Sequence, residues 1–314
     1  MSNIKNRFKE NQNLGTIVAL LILICFVSVL NPAFLQVSNL LNLMRQLIIN
    51  GFVALGMTFV ILTGGIDLSV GSTLALSSAI FAGLLQNGTN TILAIFVAIL
   101  LAIVLGLING LLITKGKLAP FIVTLATMTI FRGLTLVFMD GRPIAGPRDD
   151  FAFQFLGKGQ VLGIPFQVIL FIIVYIILWM ILNKTSYGRK IFAVGGNEKA
   201  SFISGINIAK SKTFVYVISA LMAVISGLVL TSRLNSAQPT AGSAYEMDAI
   251  AAVVLGGTSM TGGSGSLTGT LIGILILGVL NNGLNLLGVS SFYQQIVKGI
   301  VILIAVLIDR KRNK

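Results

Sequence analysis

An all-α, polytopic membrane protein of about ten transmembrane helices is what this sequence predicts, and three observations predict it. Only 10% of the 314 residues are charged, against about 25% in an ordinary soluble domain, while 55% are hydrophobic. Mean hydropathy is +0.97, too high for a disordered chain. The apolar residues fall in continuous runs and do not alternate, which argues against a β-barrel and leaves lipid as the solvent. Ten spans at about 20 residues each take up roughly 200 residues. The chain therefore reads as a single transmembrane domain over 1–314 with short loops and no room for a sizeable soluble domain.

The first run, 14–30, follows Lys5, Arg7 and Lys9 and ends at Asn31-Pro32 without a small-x-small cleavage site. It reads as an uncleaved first span with its basic end in the cytoplasm. Further spans are expected near 46–63, 70–86, 91–114, 118–139, 165–183, 213–232, 247–262, 267–287 and 292–308. The eighth is short and flanked by glycine, a pattern it shares with re-entrant segments. With ten spans both termini lie on one side, and that side collects 15 basic residues. The other side holds five, Arg45, Arg142, Arg148, Lys158 and Arg233, as the positive-inside rule requires. The formal net charge of +13 thus reports orientation and not nucleic-acid binding.

Two connections stand out for length. The outer one, near 140–164, carries Asp140, Arg142, Arg148, Asp149 and Asp150; the cytoplasmic one, near 184–212, carries six basic residues and Glu198. Both are expected to dock soluble partners. The chain also divides into halves, about 1–164 and 165–314, with Leu105–Gly110 in span four resembling Leu277–Gly283 in span nine. Those spans run in opposite directions, so spans two to five and seven to ten read as inverted copies, an architecture of transporters.

Catalytic chemistry is poorly supplied. There is no histidine, which removes most zinc and general-base sites, and the lone Cys25 can form no internal disulfide. No metal or cofactor is expected in this chain. Glu246 and Asp248 are two apart and cannot share a helix face. The Gly-rich stretch 256–266 lacks the lysine of a phosphate-binding loop, and no strand precedes it. It and 63–69 are expected as broken-helix joints or membrane-edge turns, with Gly64, Gly65, Gly256 and Gly257 as hinge candidates. Glycines 269, 273 and 278 suit close helix packing. Asp67 either caps the helix that follows it or works as an intramembrane carboxylate. Asn109, Asn281, Asn282 and Asn285 either bond neighbouring helices or line a path for a hydroxylated solute. Lys298 lies within the last span, where a cation needs a partner or a route to the interface; the sequence names no partner.

Four segments carry a resemblance: Gly64–Ser72, Gly195–Ile206, Tyr245–Gly257 and Leu280–Gly288. They are similar, in order and over nearly the whole chain, to the permease subunits of bacterial sugar ABC importers, and within that family most similar to the ribose branch. The resemblance implies a multi-pass subunit of the bacterial cytoplasmic membrane, paired with a second copy of itself. It implies translocation of a monosaccharide by alternating access. A separate ATPase with two nucleotide-binding halves would bind the ATP and Mg, and an extracytoplasmic sugar-binding protein would deliver the sugar. The segment contacting the ATPase maps onto Gly196, Asn197, Glu198, Ala200, Gly205 and Ile206. It departs from the Glu-Ala-Ala…Gly pattern of many importer subunits at Lys199 and in the spacing of Gly205. The alternatives are an ion-coupled secondary transporter, against which the peripheral placement of the acids argues, and an ABC permease for another small solute such as another sugar, an autoinducer or a branched-chain amino acid.

Overall fold

The computed structural model describes residues 14–312 and is built from helices. In chain order they are α1 (Leu14–Leu30), α2 (Val37–Leu62), α3 (Val70–Gln86), α4 (Thr91–Thr114), α5 (Pro120–Met139), α6 (Phe151–Lys158), α7 (Phe166–Lys184), α8 (Ser186–Gly196), α9 (Glu198–Ile203), α10 (Ile208–Leu234), α11 (Tyr245–Leu255), α12 (Leu267–Leu286) and α13 (Ser291–Arg312). Two small antiparallel pairs, β1 (Ile144–Ala145) with β4 (Ser236–Ala237) and β2 (Gln160–Val161) with β3 (Ile164–Pro165), tie connections together. Among the described residues six helices, α2, α4, α5, α7, α10 and α12, are long and apolar enough to cross a membrane. The chain is an all-α membrane protein. The basic residues at 5–9 and Lys314 lie outside the described residues.

The bundle has two ends. One, the basic end, gathers α8, α9 and the close of α2, where the Gly263 amide donates to the Leu62 carbonyl. The opposite end gathers the close of α1 and α12, joined by Asn31 Nδ2 donating to the Leu286 carbonyl. It also holds α6, which Asp150 caps: this carboxylate accepts from the Phe153 amide at 2.9 Å and from Thr91 Oγ1 at 2.6 Å.

The two longest helices, α2 and α10, are packed together at the centre and are buried along most of their length. That suits helices whose buried stretches, 47–62 and 214–232, carry no charged residue. Helices α4, α5 and α7 surround them and leave rows such as Ile92, Phe96, Leu100 and Val104 outward, the face expected to meet lipid. Polar groups on the central helices find partners across the bundle: Thr58 with Thr270 at 2.8 Å, and Ser226 Oγ with the Ile49 carbonyl at 2.7 Å. Such bonds and small residues hold helices together where lipid supplies no hydrophobic drive. Gly106 lets α4 close on the backbone of Val217 in α10.

The packing has an internal correspondence. Helix α10 packs on α4 as α2 packs on α12; α10 packs on α3 as α2 packs on α11; and α3 meets α5 as α11 meets α13.

Two expectations need correction. The second span begins at Val37 and not near 46. The eighth does not run from 247 to 262 as one helix: α11 holds 11 residues, about 16 Å at 1.5 Å per residue, half of a hydrocarbon core of about 30 Å. Glycines interrupt it, with Gly257, Gly262 and Gly263 all at positive φ. The expected outer loop also contains a helix, α6.

Candidate functional site

Four helices each turn one stripe towards a shared cavity of about 410 Å³. On α2 the stripe is Leu43, Gln46, Leu47 and Asn50; on α12 it is Ile274, Leu277, Gly278 and Asn281. Both follow the i, i+3, i+4, i+7 spacing of one helical face. Tyr245 and Asp248 come from α11, and Arg233 from the last turn of α10. The volume falls within the usual range of small-molecule sites.

The polar wall of this cavity is organised by one carboxylate. Asp248 Oδ2 accepts from Lys298 Nζ at 3.0 Å and from Asn50 Nδ2 at 3.2 Å. Lys298 thus has its partner. Asn50 stands near the middle of the 26-residue α2, so Asp248 lies deep in the bundle. The expectation that the acids sit at span ends is corrected for this residue. The reason is local: α11 starts inside the bundle, so its first turn is not a membrane edge. Asn50 Oδ1 and Asn281 Oδ1 are buried and have no hydrogen-bond partner among the described residues.

The start of α11 is fixed by a close approach. Carbons added at Gly71 and Gly242 would each strike the other's backbone, and Gly242 has φ +71°. Arg132 Nη1 donates to the Pro239 carbonyl at 2.8 Å and holds the descending segment. Helices α3 and α11 therefore begin beside one another and run to opposite ends. Asp67 lies just before α3, fully buried, accepting from the Ser69 amide at 3.0 Å, Ser69 Oγ at 2.6 Å and Ser219 Oγ at 2.8 Å. It closes the turn leading into the helix, and Ser69 occupies the N-cap position itself.

The other path candidates are scattered. Asn109 Nδ2 donates to Ser69 Oγ at 2.8 Å. Asn282 and Asn39 exchange two bonds of 3.0 Å, a link between α12 and α2. Asn285 accepts from Gln294 Nε2 at 2.8 Å towards the opposite end. Of the candidates, only Asn281 lines the cavity. Among the hinge candidates, Gly64 and Gly257 have φ of +73° and +83°. A carbon added to Gly65 would come within 2.5 Å of Tyr216 Oη, and one added to Gly256 would strike Gly269.

The residues mapped to an ATPase contact come together at the basic end. Gly196 ends α8, and Asn197 caps α9 by accepting from the Ala200 amide at 2.9 Å. Glu198 pairs with Lys212 at 2.6 Å. Gly205 takes φ +79°, which lets the Ile206 amide turn back to the Ser201 carbonyl. The same short helix carries two residues that sequence reasoning missed: Phe202 and Ile203, 71% and 84% exposed. An apolar pair inside a basic connection was the available signal. Asn50, Tyr245 and Arg233 were also missed as cavity residues; the polar pair Gln46 and Asn50, four apart in an apolar run, was the signal for Asn50.

Two groups outside the spanning helices are electrostatically perturbed. The Thr91 hydroxyl and then the Phe153 amide hold the Asp150 carboxyl below its ordinary range. Burial beside α10 pushes the Tyr187 hydroxyl up, and it donates to the Ser211 carbonyl at 2.8 Å. Among the described residues no group of three His, Cys, Asp or Glu could hold a metal ion.

The sequence matches the family described as branched-chain amino acid transport system / permease component over residues 39–306. It is 63% identical to the ribose import permease of Bacillus subtilis over 302 residues, 96% of this chain and 94% of that one. The ribose import permease of Haemophilus influenzae is 53% identical, with 93% and 91% covered. That of Escherichia coli is 50% identical, with 95% and 94% covered. No solved structure matches the chain. A spanning bundle with a deep polar cavity and an exposed cap at its basic end is thus joined to near-full-length likeness, and the chain belongs to this family of transport permeases.

Proposed function

We propose that the chain is the membrane-spanning subunit of an ATP-driven importer of a monosaccharide, ribose before others, in the bacterial cytoplasmic membrane. Near-full-length identity to ribose import permeases carries this reading. The basic end faces the cytoplasm, following the charge bias, and both termini lie there. The chain crosses ten times. The eighth crossing joins α11 to the irregular 256–266 segment, whose first residues Gly256, Thr258 and Ser259 are buried and whose Gly263 reaches the end of α2 at Leu62.

The energy comes from a separate ATPase with two nucleotide-binding halves, which holds ATP and Mg and docks on α8 and α9. The exposed Phe202 and Ile203 suit a pocket on such a partner. A sugar-loaded binding protein docks at the opposite end, on the connections around α6. Two copies of the chain form the transporter and alternate between outward and inward access. The glycine joints at 64–65 and 256–257 are the points where this motion bends the backbone, and the coupling residues Gly196 to Ile206 drive it.

The test is to purify the protein with its membrane partners and measure ATP hydrolysis in liposomes as binding protein is added. Stimulation by ribose-loaded binding protein is expected. A protein that carries no ATPase and moves sugar on an ion gradient would establish the secondary-transporter alternative instead.

A further inference from the structure

We infer that an anionic phospholipid binds at the basic end of the bundle, astride Phe214 at the start of α10, with its headgroup phosphate on Lys210 between Lys115 and Lys190. That this is the cytoplasmic leaflet rests on the orientation in the import reading above; the site itself needs only this chain's residues.

Two grooves meet at Phe214. One, of about 380 Å³, lies between α4 and α10, and its walls include Leu107, Leu111, Lys115 and Val217. The other, of about 460 Å³, lies between α7, α8 and α10 and includes Ile181, Tyr187 and Lys190. Lys210 and Phe214 line both. Phe214 is held as the ridge between them. The Tyr187 ring meets it edge-on with centroids 4.6 Å apart, and the Tyr187 hydroxyl is tied to the Ser211 carbonyl.

The order of side chains along the helices matches a lipid. On α4, Leu107 and Leu111 stand two turns and one turn before Lys115, which caps the helix end. Steps of four keep them on one face. On α10, Lys210 lies in the first turn, and Phe214 and Val217 follow one and two turns deeper. Both helices are long and apolar enough to cross a membrane, and Leu107, Leu111 and Phe214 are exposed. Cations therefore stand at the membrane boundary above apolar walls, at the levels of a phosphate and of acyl chains.

Charge selects the headgroup. No Asp or Glu lines either groove. Among the described residues the ammonium groups of Lys115, Lys190 and Lys210 have no ion pair or hydrogen bond. Lys212, two residues on and so on another face, is by contrast paired with Glu198. A zwitterionic headgroup would find no acid for its cationic end. A soluble acidic peptide would leave the apolar walls unused.

The experiment is native mass spectrometry of the full-length permease in detergent, titrated with phosphatidylglycerol or with phosphatidylcholine of the same chains. One phosphatidylglycerol per chain is expected to bind about tenfold more tightly than phosphatidylcholine. Lys210→Gln weakens it about fivefold, since a lysine at an anionic surface is worth about 1 kcal/mol. Lys115→Gln together with Lys210→Gln weakens it about 25-fold. Lys117→Gln, at the same end but lining neither groove, leaves it unchanged. If Lys210→Gln does not fold, Lys115→Gln and Lys190→Gln decide, each expected at about fivefold. Equal affinity for the two lipids, or an equal loss in Lys117→Gln, overturns the site. Displacement of the lipid by an equal concentration of inorganic phosphate overturns it as well, because the chains would then contribute nothing. None of these results touches the import reading, and a chain that imports no sugar would still hold the lipid.

Discussion

Around Asp248 the energetics can be separated residue by residue. The carboxylate receives an ammonium and an amide at 3.0 and 3.2 Å, deep enough that water competes weakly. Removing one partner of a fully buried pair costs about 3–5 kcal/mol, mostly by stranding the remaining charge. Here the side chains of Lys298 and Asp248 keep 27% and 15% exposure, so Lys298→Met is expected to cost less, about 1–2 kcal/mol. The double variant Lys298→Met, Asp248→Asn removes both charges and keeps an acceptor for Asn50. It should recover more than half of that loss in thermal unfolding of the solubilised protein. Equal losses in the single and double variants would show that the pair carries no coupling.

At the scale of elements the decisive feature is that α3 and α11 begin inside the bundle. Paired half-helices that start at depth are how transporters bring backbone dipoles and polar groups to a central site. Their meeting point tolerates no side chain: Gly242 has φ +71° and an added carbon would lie 2.5 Å from the Gly71 carbonyl oxygen. Gly242→Ala is therefore expected to destabilise by about 2 kcal/mol or more through strain and overlap together. Gly15→Ala in α1, where an added carbon meets nothing within 4 Å, should stay within about 0.5 kcal/mol. Melting temperatures of the two variants check the contrast. The same feature marks what could be read from the sequence. Runs 70–86 and 91–114 coincide with α3 and α4 because uniform apolar composition is a signal each helix carries by itself. The start of α2 was obscured because Asn39, Asn42, Arg45 and Gln46 lower the local hydropathy. Asn39 is matched by Asn282, a tertiary pairing with no local trace. The partner of Lys298 was hidden in the same way, 50 positions away in the chain. The cluster at the basic end was legible as a motif, but the outward turn of Phe202 and Ile203 needed the folded helix.

Across the whole molecule, one backbone junction joins the basic end to the polar cavity. Gly195 in α8 packs on the last carbonyl of α2, the Gly263 amide donates to that same Leu62 carbonyl, and Gly262 lies between Gly64 and Gly195. These glycines bring α2, α8 and the 256–266 segment into backbone contact without intervening side chains. A displacement of α8 and α9 would therefore press on the ends of α2 and α11, the helices on which Asn50 and Asp248 stand further along. The exposed Phe202 and Ile203 are where such a displacement would be applied. Phe202→Ser with Ile203→Ser removes apolar area that faces outward, so the isolated permease should fold and melt as before. In the assembled transporter the same pair should lower ATPase association and ATP-driven uptake by about tenfold or more, since a buried aromatic anchor is worth about 2 kcal/mol. Gly205→Pro acts one step later. Proline cannot take the +79° φ that Gly205 holds, so it should leave the docking residues in place but misdirect α9. ATPase binding is expected to survive while stimulation and uptake fall together. Unimpaired uptake in both variants, at normal expression, would remove α9 from the coupling route.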